Sequence, residues 1–219
     1  DLHLLSRRQR QMCIRDRLTA KSTGRQLMSD GMIKKSSEEH IIALAGNPNV
    51  GKSTVFNALT GMNQHTGNWA GKTVSSAMGR CTYNNKKYVL ADIPGTYSLM
   101  AQSAEEEVAR DFICFQNPDA VIVVCDATCL ERNLNLVLQT IEITPKTVVC
   151  VNLLDEAERK NIHVDIKKLE TFLGVPAVGV TAREGKGLDK LMEAVERVIE
   201  NRPESPFIPV YDAELCLLY

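Results

Sequence analysis

The 219-residue chain is 44% hydrophobic and 24% charged, an ordinary globular composition that excludes a wholly disordered protein. Its formal net charge of -1 lacks the basic excess that binding nucleic acid through phosphates requires. The balance is uneven, with nine Lys/Arg against five Asp/Glu in residues 1–40, so the basic excess is confined to a leading tail.

Residues 1–40 sustain no apolar period and cluster Arg, Ser and Gly, which reads as a flexible leader. Within it Met12-Cys13-Ile14-Arg15-Asp16 looks like translated sequencing adapter; a nucleic-acid-binding arm and a transit peptide are the weaker readings. Ile41–Ala45 is a short apolar run ending in a Gly-rich turn, the pattern of a buried parallel strand. A helix is predicted over Gly51–Leu59, then two strands, Ala77–Tyr83 and Lys86–Ile93, joined by a turn at Asn84-Asn85. Ser103 is predicted to cap a helix whose first turn is acidic, Glu105-Glu106-Glu107. Strands at Ala120–Cys125, Thr147–Asn152 and Ala177–Val180 then alternate with helices at Leu130–Glu142, Val164–Leu173 and Leu188–Asn201. Alternation of this kind predicts an α/β fold with three layers, its sheet mostly parallel and covered on both faces. Ligands in such folds bind beyond the C-terminal ends of the strands.

The informative residues follow those strands. Gly46-Asn47-Pro48-Asn49-Val50-Gly51-Lys52-Ser53 fits GxxxxGK[ST], a loop whose amides cradle phosphate at the start of a helix. Lys52 is placed to reach the β- and γ-phosphates and Ser53 to ligate Mg²⁺, with Thr54 in the same turn. Asp92-Ile93-Pro94-Gly95 follows the third predicted strand; Asp92 can hold Mg²⁺ through water, and the Gly95 amide can meet a γ-phosphate. Asn152-Leu153-Leu154-Asp155 follows the fifth. Asp155 can accept two guanine N–H donors that adenine lacks, while Asn152 can tie the base loop to the phosphate loop. Thr181-Ala182-Arg183 is placed to give an amide to the guanine O6.

This ordered set resembles the translation-factor-related class of P-loop GTPases, which implies a Ras-like sheet of six strands with one antiparallel edge strand. Two further stretches, Gly67-Asn68-Trp69-Ala70-Gly71-Lys72-Thr73-Val74 and Asp126-Ala127-Thr128-Cys129-Leu130-Glu131-Arg132-Asn133-Leu134, resemble the cytosolic G domain of the bacterial ferrous iron transport protein B (FeoB) family. The resemblance runs from about Ile41 to Ile199. It implies GTP and GDP as ligands, Mg²⁺ held also by the switch I Thr73, and K⁺ held by Asn49 with the Gly67–Lys72 backbone. It also implies slow, K⁺-stimulated hydrolysis carried by Lys52, Thr73, Gly95 and Asn49. The implied partners are a membrane-embedded Fe²⁺ permease domain, small accessory proteins and further copies of the chain, with no nucleic acid, at the cytoplasmic face of the bacterial inner membrane.

Three positions depart from common patterns. Leu153 replaces the usual Lys of the base motif, Thr96 stands where Ras-type enzymes place a water-orienting glutamine, and Lys72 replaces an apolar switch residue. Two other readings of the same loops stay open: a GTPase of ribosome or RNA maturation, which predicts a basic face, and a non-hydrolysing guanine-nucleotide sensor suggested by Thr96.

The seven cysteines form no CxxC pair and read as reduced thiols, so Cys125 and Cys129 are expected to be thiols rather than a metal site. His65 and His163 read as surface residues, and Trp69 as a partner-contact or switch-anchoring residue. The longest apolar run, Ala120–Cys125, is strand-sized, far short of the ~18–20 residues of a membrane span. The expected organisation is therefore a leader over 1–40, a G domain over 41–202, and a proline-broken stub over 203–219 that reads as the cut start of a helical domain.

Overall fold

The computed structural model describes residues 39–61, 64–68, 75–100 and 102–201. Its strands are β1 (Glu39–Gly46), β2 (Gln64–Asn68), β3 (Ser75–Tyr83), β4 (Lys86–Asp92), β5 (Ala120–Asp126), β6 (Thr147–Asn152) and β7 (Ala177–Gly179). Its helices are α1 (Lys52–Thr60), α2 (Ala104–Phe115), α3 (Leu130–Ile143), α4 (Leu154–Arg159), α5 (Ile166–Leu173) and α6 (Leu188–Asn201).

The sheet runs β2-β3-β4-β1-β5-β6-β7. Strands β4, β1, β5, β6 and β7 are mutually parallel, and β3 is antiparallel to β4. These six form the expected mostly parallel sheet. Beyond the antiparallel β3 lies the short β2, which pairs with residues 75–79 of that strand and carries no apolar alternation to announce it.

Inward-pointing apolar side chains explain the layers. Ile42, Leu44, Tyr88, Leu90, Ile122, Val124, Val148 and Cys150 point to one face and pack under Val55 and Phe56 of α1 and Leu191, Val195 and Val198 of α6. The alternating residues Ala43, Val89, Val121, Val123 and Val149 are buried on the other face, where α2 lies against β1, and α3 against β5 and β6. Each large apolar side chain buried this way contributes about 1.5–3 kcal/mol.

Local chemistry sets the helix ends. Ser103 accepts from the Glu106 amide at 3.1 Å and starts α2 beneath its acidic first turn. Asp165 accepts from the Lys168 amide at 3.0 Å, so α5 begins at Ile166, two residues later than its apolar pattern suggests. It stops at Gly174, whose φ of 65° closes the helix. The far edge of the sheet is clasped by α6: Tyr88 Oη donates to Glu196 Oε1 at 2.9 Å, Asn84 Nδ2 to Glu196 Oε2 at 2.8 Å, and Lys86 Nζ to Glu200 at 2.6 Å.

A candidate guanine-nucleotide site at the strand ends

Because β4, β1, β5, β6 and β7 are parallel, Gly46, Asp92, Asp126, Asn152 and Gly179 end at one edge of the sheet. β1 sits centrally and its neighbours β4 and β5 come later in the chain, so the loop after β1 opens at the crevice where connections diverge.

That loop passes from buried Asn47 through Pro48 and Asn49, the latter at φ 66°, to Val50, Gly51 and α1. Gly51 precedes the helix at φ 79°, ψ 22°, with no side chain capping the first amides. Those amides are therefore presented beyond the helix end, the arrangement that receives an anion. A β-carbon on Gly51 would lie 2.4 Å from Asn152 Nδ2, so only glycine fits. Lys52 Nζ is paired with Asp92 Oδ1, both side chains less than one-fifth exposed. Ser53 and Thr54 are exposed in the first turn.

The Asp92–Gly95 loop lies against the phosphate loop. The Thr96 amide donates to Gly46 O at 3.1 Å, and a β-carbon on Gly95 would come within 3.3 Å of Pro48. Thr96 is buried and its hydroxyl donates to Ser98 O at 2.6 Å, so this side chain is turned away from the loop mouth by a local turn.

Asn152 joins the remaining pieces. Its Nδ2 donates to Val50 O at 3.1 Å and its Oδ1 accepts from the Ala182 amide at 3.1 Å, both fully buried. One carboxamide thus spans the phosphate loop and the loop after β7. Leu153 then adopts φ 63°, costing about 1–2 kcal/mol for a non-glycine, and its carbonyl starts α4 by accepting from Ala157 at 3.0 Å. That reversal sets Asp155 in the first turn of α4, where Oδ2 pairs with Arg159 Nη2 at 2.8 Å. Helix α4, six residues long, is too short to show an apolar period. After β7, the Thr181 amide donates to Lys186 O and the Ala182 amide to Asn152, while Arg183 is exposed.

Thr73, Trp69 and Lys72 lie outside the described residues; Gly67 is reached only as backbone in β2. Cys125 and Cys150 are buried, Cys129 is exposed, and burial pushes the Cys150 thiol up to about 12. Among the described residues, no group of three or more His, Cys, Asp or Glu is placed to hold a metal ion. Mg²⁺ needs no such cage, since it is held by one or two protein oxygens plus phosphates and water. The Asp92 carboxylate and Ser53 hydroxyl at the loop mouth are hard donors of that kind. Nor is any described helix long and apolar enough to cross a membrane.

The family described as Ferrous iron transport protein B, in its N-terminal FeoB segment, matches residues 40–195. The chain belongs to the FeoB family. The Fe(2+) transporter FeoB of Salmonella typhimurium is 42% identical over 160 residues, 71% of this chain and 21% of that protein. The transporter of Escherichia coli K12 is likewise 42% identical over 164 residues, covering 73% and 21%. The chain thus spans about a fifth of the length of these curated FeoB relatives.

Among solved structures, the G domain of the T. maritima FeoB iron transporter is 39% identical with a TM-score of 0.69, covering 73% of this chain and 98% of that one. The FeoB G-domain of Methanococcus jannaschii is 42% identical with a TM-score of 0.66, covering 74% and 99%. A mutant S. thermophilus NFeoB bound to GDP is 37% identical with a TM-score of 0.73, covering 81% and 68%. The described fold is therefore a FeoB-type G domain of the P-loop GTPase family.

Proposed function

We propose that this chain binds GTP and GDP through residues 46–54, 92–95, 152–155 and 181–183, and hydrolyses GTP as the switch of a ferrous iron transporter. The observation that carries the reading is Asn152 joined to both Val50 O and the Ala182 amide, which sets a base loop and a phosphate loop at a fixed spacing. The GDP-bound S. thermophilus relative supports the ligand.

In this reading the Gly46–Ser53 amides and Lys52 grip the phosphates, and the Asp155 carboxylate accepts from guanine N1 and N2. The 181–183 loop gives an amide to O6; those of Thr181 and Ala182 already have protein acceptors, which favours Arg183. Ser53 and Thr73 would hold Mg²⁺ directly, and Asp92 would hold it through water, after Lys52 exchanges Asp92 for phosphate. The bound Mg²⁺ would neutralise phosphate charge. Asn49 and the Gly67–Lys72 backbone would hold K⁺, which supplies the same neutralisation beside the α- and γ-phosphates. Because Thr96 is turned onto Ser98, no side chain at that position orients the attacking water. Slow turnover dependent on Gly95, Thr73 and the monovalent cation follows.

The wider assignment rests on family membership. It comprises a G domain over 41–202 and a following helical segment, coupled at the cytoplasmic face of the inner membrane to a permease, accessory proteins and other copies; the leader over 1–40 rests on composition alone. Turnover of GTP and ATP measured in matched K⁺ and Na⁺ buffers tests the proposal. Slow hydrolysis of GTP alone, several-fold faster in K⁺, is expected. Hydrolysis in neither buffer would leave a nucleotide sensor, and equal rates would remove K⁺ from Asn49.

A further inference from the structure

The segment after Gly95 is held along one stripe of α3. The Arg132 guanidinium stacks over the Tyr97 ring at 4.5 Å, Asn135 Nδ2 donates to Tyr97 O at 3.2 Å, and Gln139 Oε1 accepts from the Leu99 amide at 2.7 Å. Positions 132, 135 and 139 are spaced i, i+3, i+7 and so share one helix face. Two of the three contacts grip main-chain atoms, which fixes the path of the backbone whatever the loop side chains do. The same turn of α3 also reaches the phosphate loop, since Asn47 Nδ2 donates to Arg132 O at 3.4 Å.

Gly95 lies between fixed points. Upstream, the Ile93 amide donates to Leu44 O at 3.2 Å; downstream, the Thr96 amide is bonded to Gly46 O, and Tyr97 and Leu99 to α3. Leu99 is buried, whereas Tyr97 remains 43% exposed beneath its arginine. The direction of the Gly95 amide is thus set by neighbours on both sides, and the downstream hold is shared by Gly46 O and α3.

We propose that Arg132, Asn135 and Gln139 are positioning residues for the reaction: they latch Tyr97–Leu99 and so aim the Gly95 amide at the γ-phosphate. This rests on the GTPase reading above, and it separates GTP from GDP. GDP has no γ-phosphate for Gly95 to meet, so the latch bears on hydrolysis and leaves the grip on GDP to the phosphate and base loops.

The polarity of the contacts supplies the test. At Asn135 the donor matters, so Asn135→Asp breaks the contact while keeping the shape. At Gln139 the acceptor matters, so Gln139→Leu breaks it while Gln139→Glu keeps it. In the full 219-residue chain, single-turnover GTP hydrolysis is expected to fall about threefold or more in Asn135→Asp and Gln139→Leu. Fluorescent-GDP affinity should stay within about twofold in both, and Gln139→Glu should hydrolyse near the wild-type rate. Unchanged or raised rates, equal damage from Gln139→Glu and Gln139→Leu, or a matching loss of GDP affinity would each overturn the latch. A wild-type chain that fails to bind GDP overturns the reading of the site and the latch with it. Wild-type turnover with unaltered variants overturns the latch alone.

Discussion

At Gly51 one missing methyl group decides two contacts. The backbone there is left-handed, and the space a β-carbon would occupy holds Asn152 Nδ2 at 2.4 Å. Gly51→Ala must strain its own backbone by about 1–2 kcal/mol and displace a carboxamide making two buried hydrogen bonds of about 0.5–1.5 kcal/mol each. Titration with fluorescent GDP should therefore show affinity weakened by about 2–4 kcal/mol; a loss below threefold would mean that Asn152 moves aside freely. Gly51 and Asn152 are each legible in the sequence as members of a motif. Their contact is not, because it joins residues 101 positions apart that meet only once β1 and β6 flank β5. Thr96 shows the same limit. Its position beside Gly95 was legible, but the turn that sends its hydroxyl to Ser98 O depends on how the segment lies on α3.

At the scale of elements, what could be read ahead followed from local chemistry. Ser103 starts its helix through its own hydroxyl and Gly174 ends one through its conformational freedom, and Leu188–Asn201 and Thr147–Asn152 follow apolar patterns that burial then uses. Strand β2 and helix α4 could not be read. Gln64–Asn68 owes its state to the open edge of β3, and α4 depends on a leucine held at positive φ. The clasp of α6 on the β3–β4 hairpin was equally hidden, being built of polar residues from distant segments. Burial alone would raise the Glu196 carboxyl, but donors from Asn84, Tyr88 and Lys86 outweigh it and hold it below its ordinary 4.5. A depressed carboxyl stabilises the fold above its unfolded value, and that contribution is lost as pH falls through the folded one. Glu196→Ala should therefore cost about 1–2 kcal/mol in urea unfolding at pH 7, and the gap to wild type should close below pH 4.5. A gap that widens in acid would show that the carboxylate is not the stabilising form.

At the largest scale, the described residues between Glu39 and Asn201 build one continuous sheet with apolar cover on both faces. A chain comprising residues 39–201 alone is expected to unfold in a single cooperative transition and to bind GDP within about threefold of the 219-residue chain. Separate transitions, or a much larger loss, would place part of the folding unit outside those limits. The two ends of this unit lie at the edge of the sheet opposite the nucleotide loops: Glu39 is in register with Lys87, and Glu200 is paired with Lys86. In mechanical terms, a pull on the chain beyond Asn201 first loads the Lys86–Glu200 and Glu196 contacts. Lys86 opens β4, whose far end is Asp92, the carboxylate paired with Lys52. The clasp at the start of β4 is thus also the point at which tension from the chain beyond Asn201 would enter the strand that ends at the Lys52–Asp92 pair.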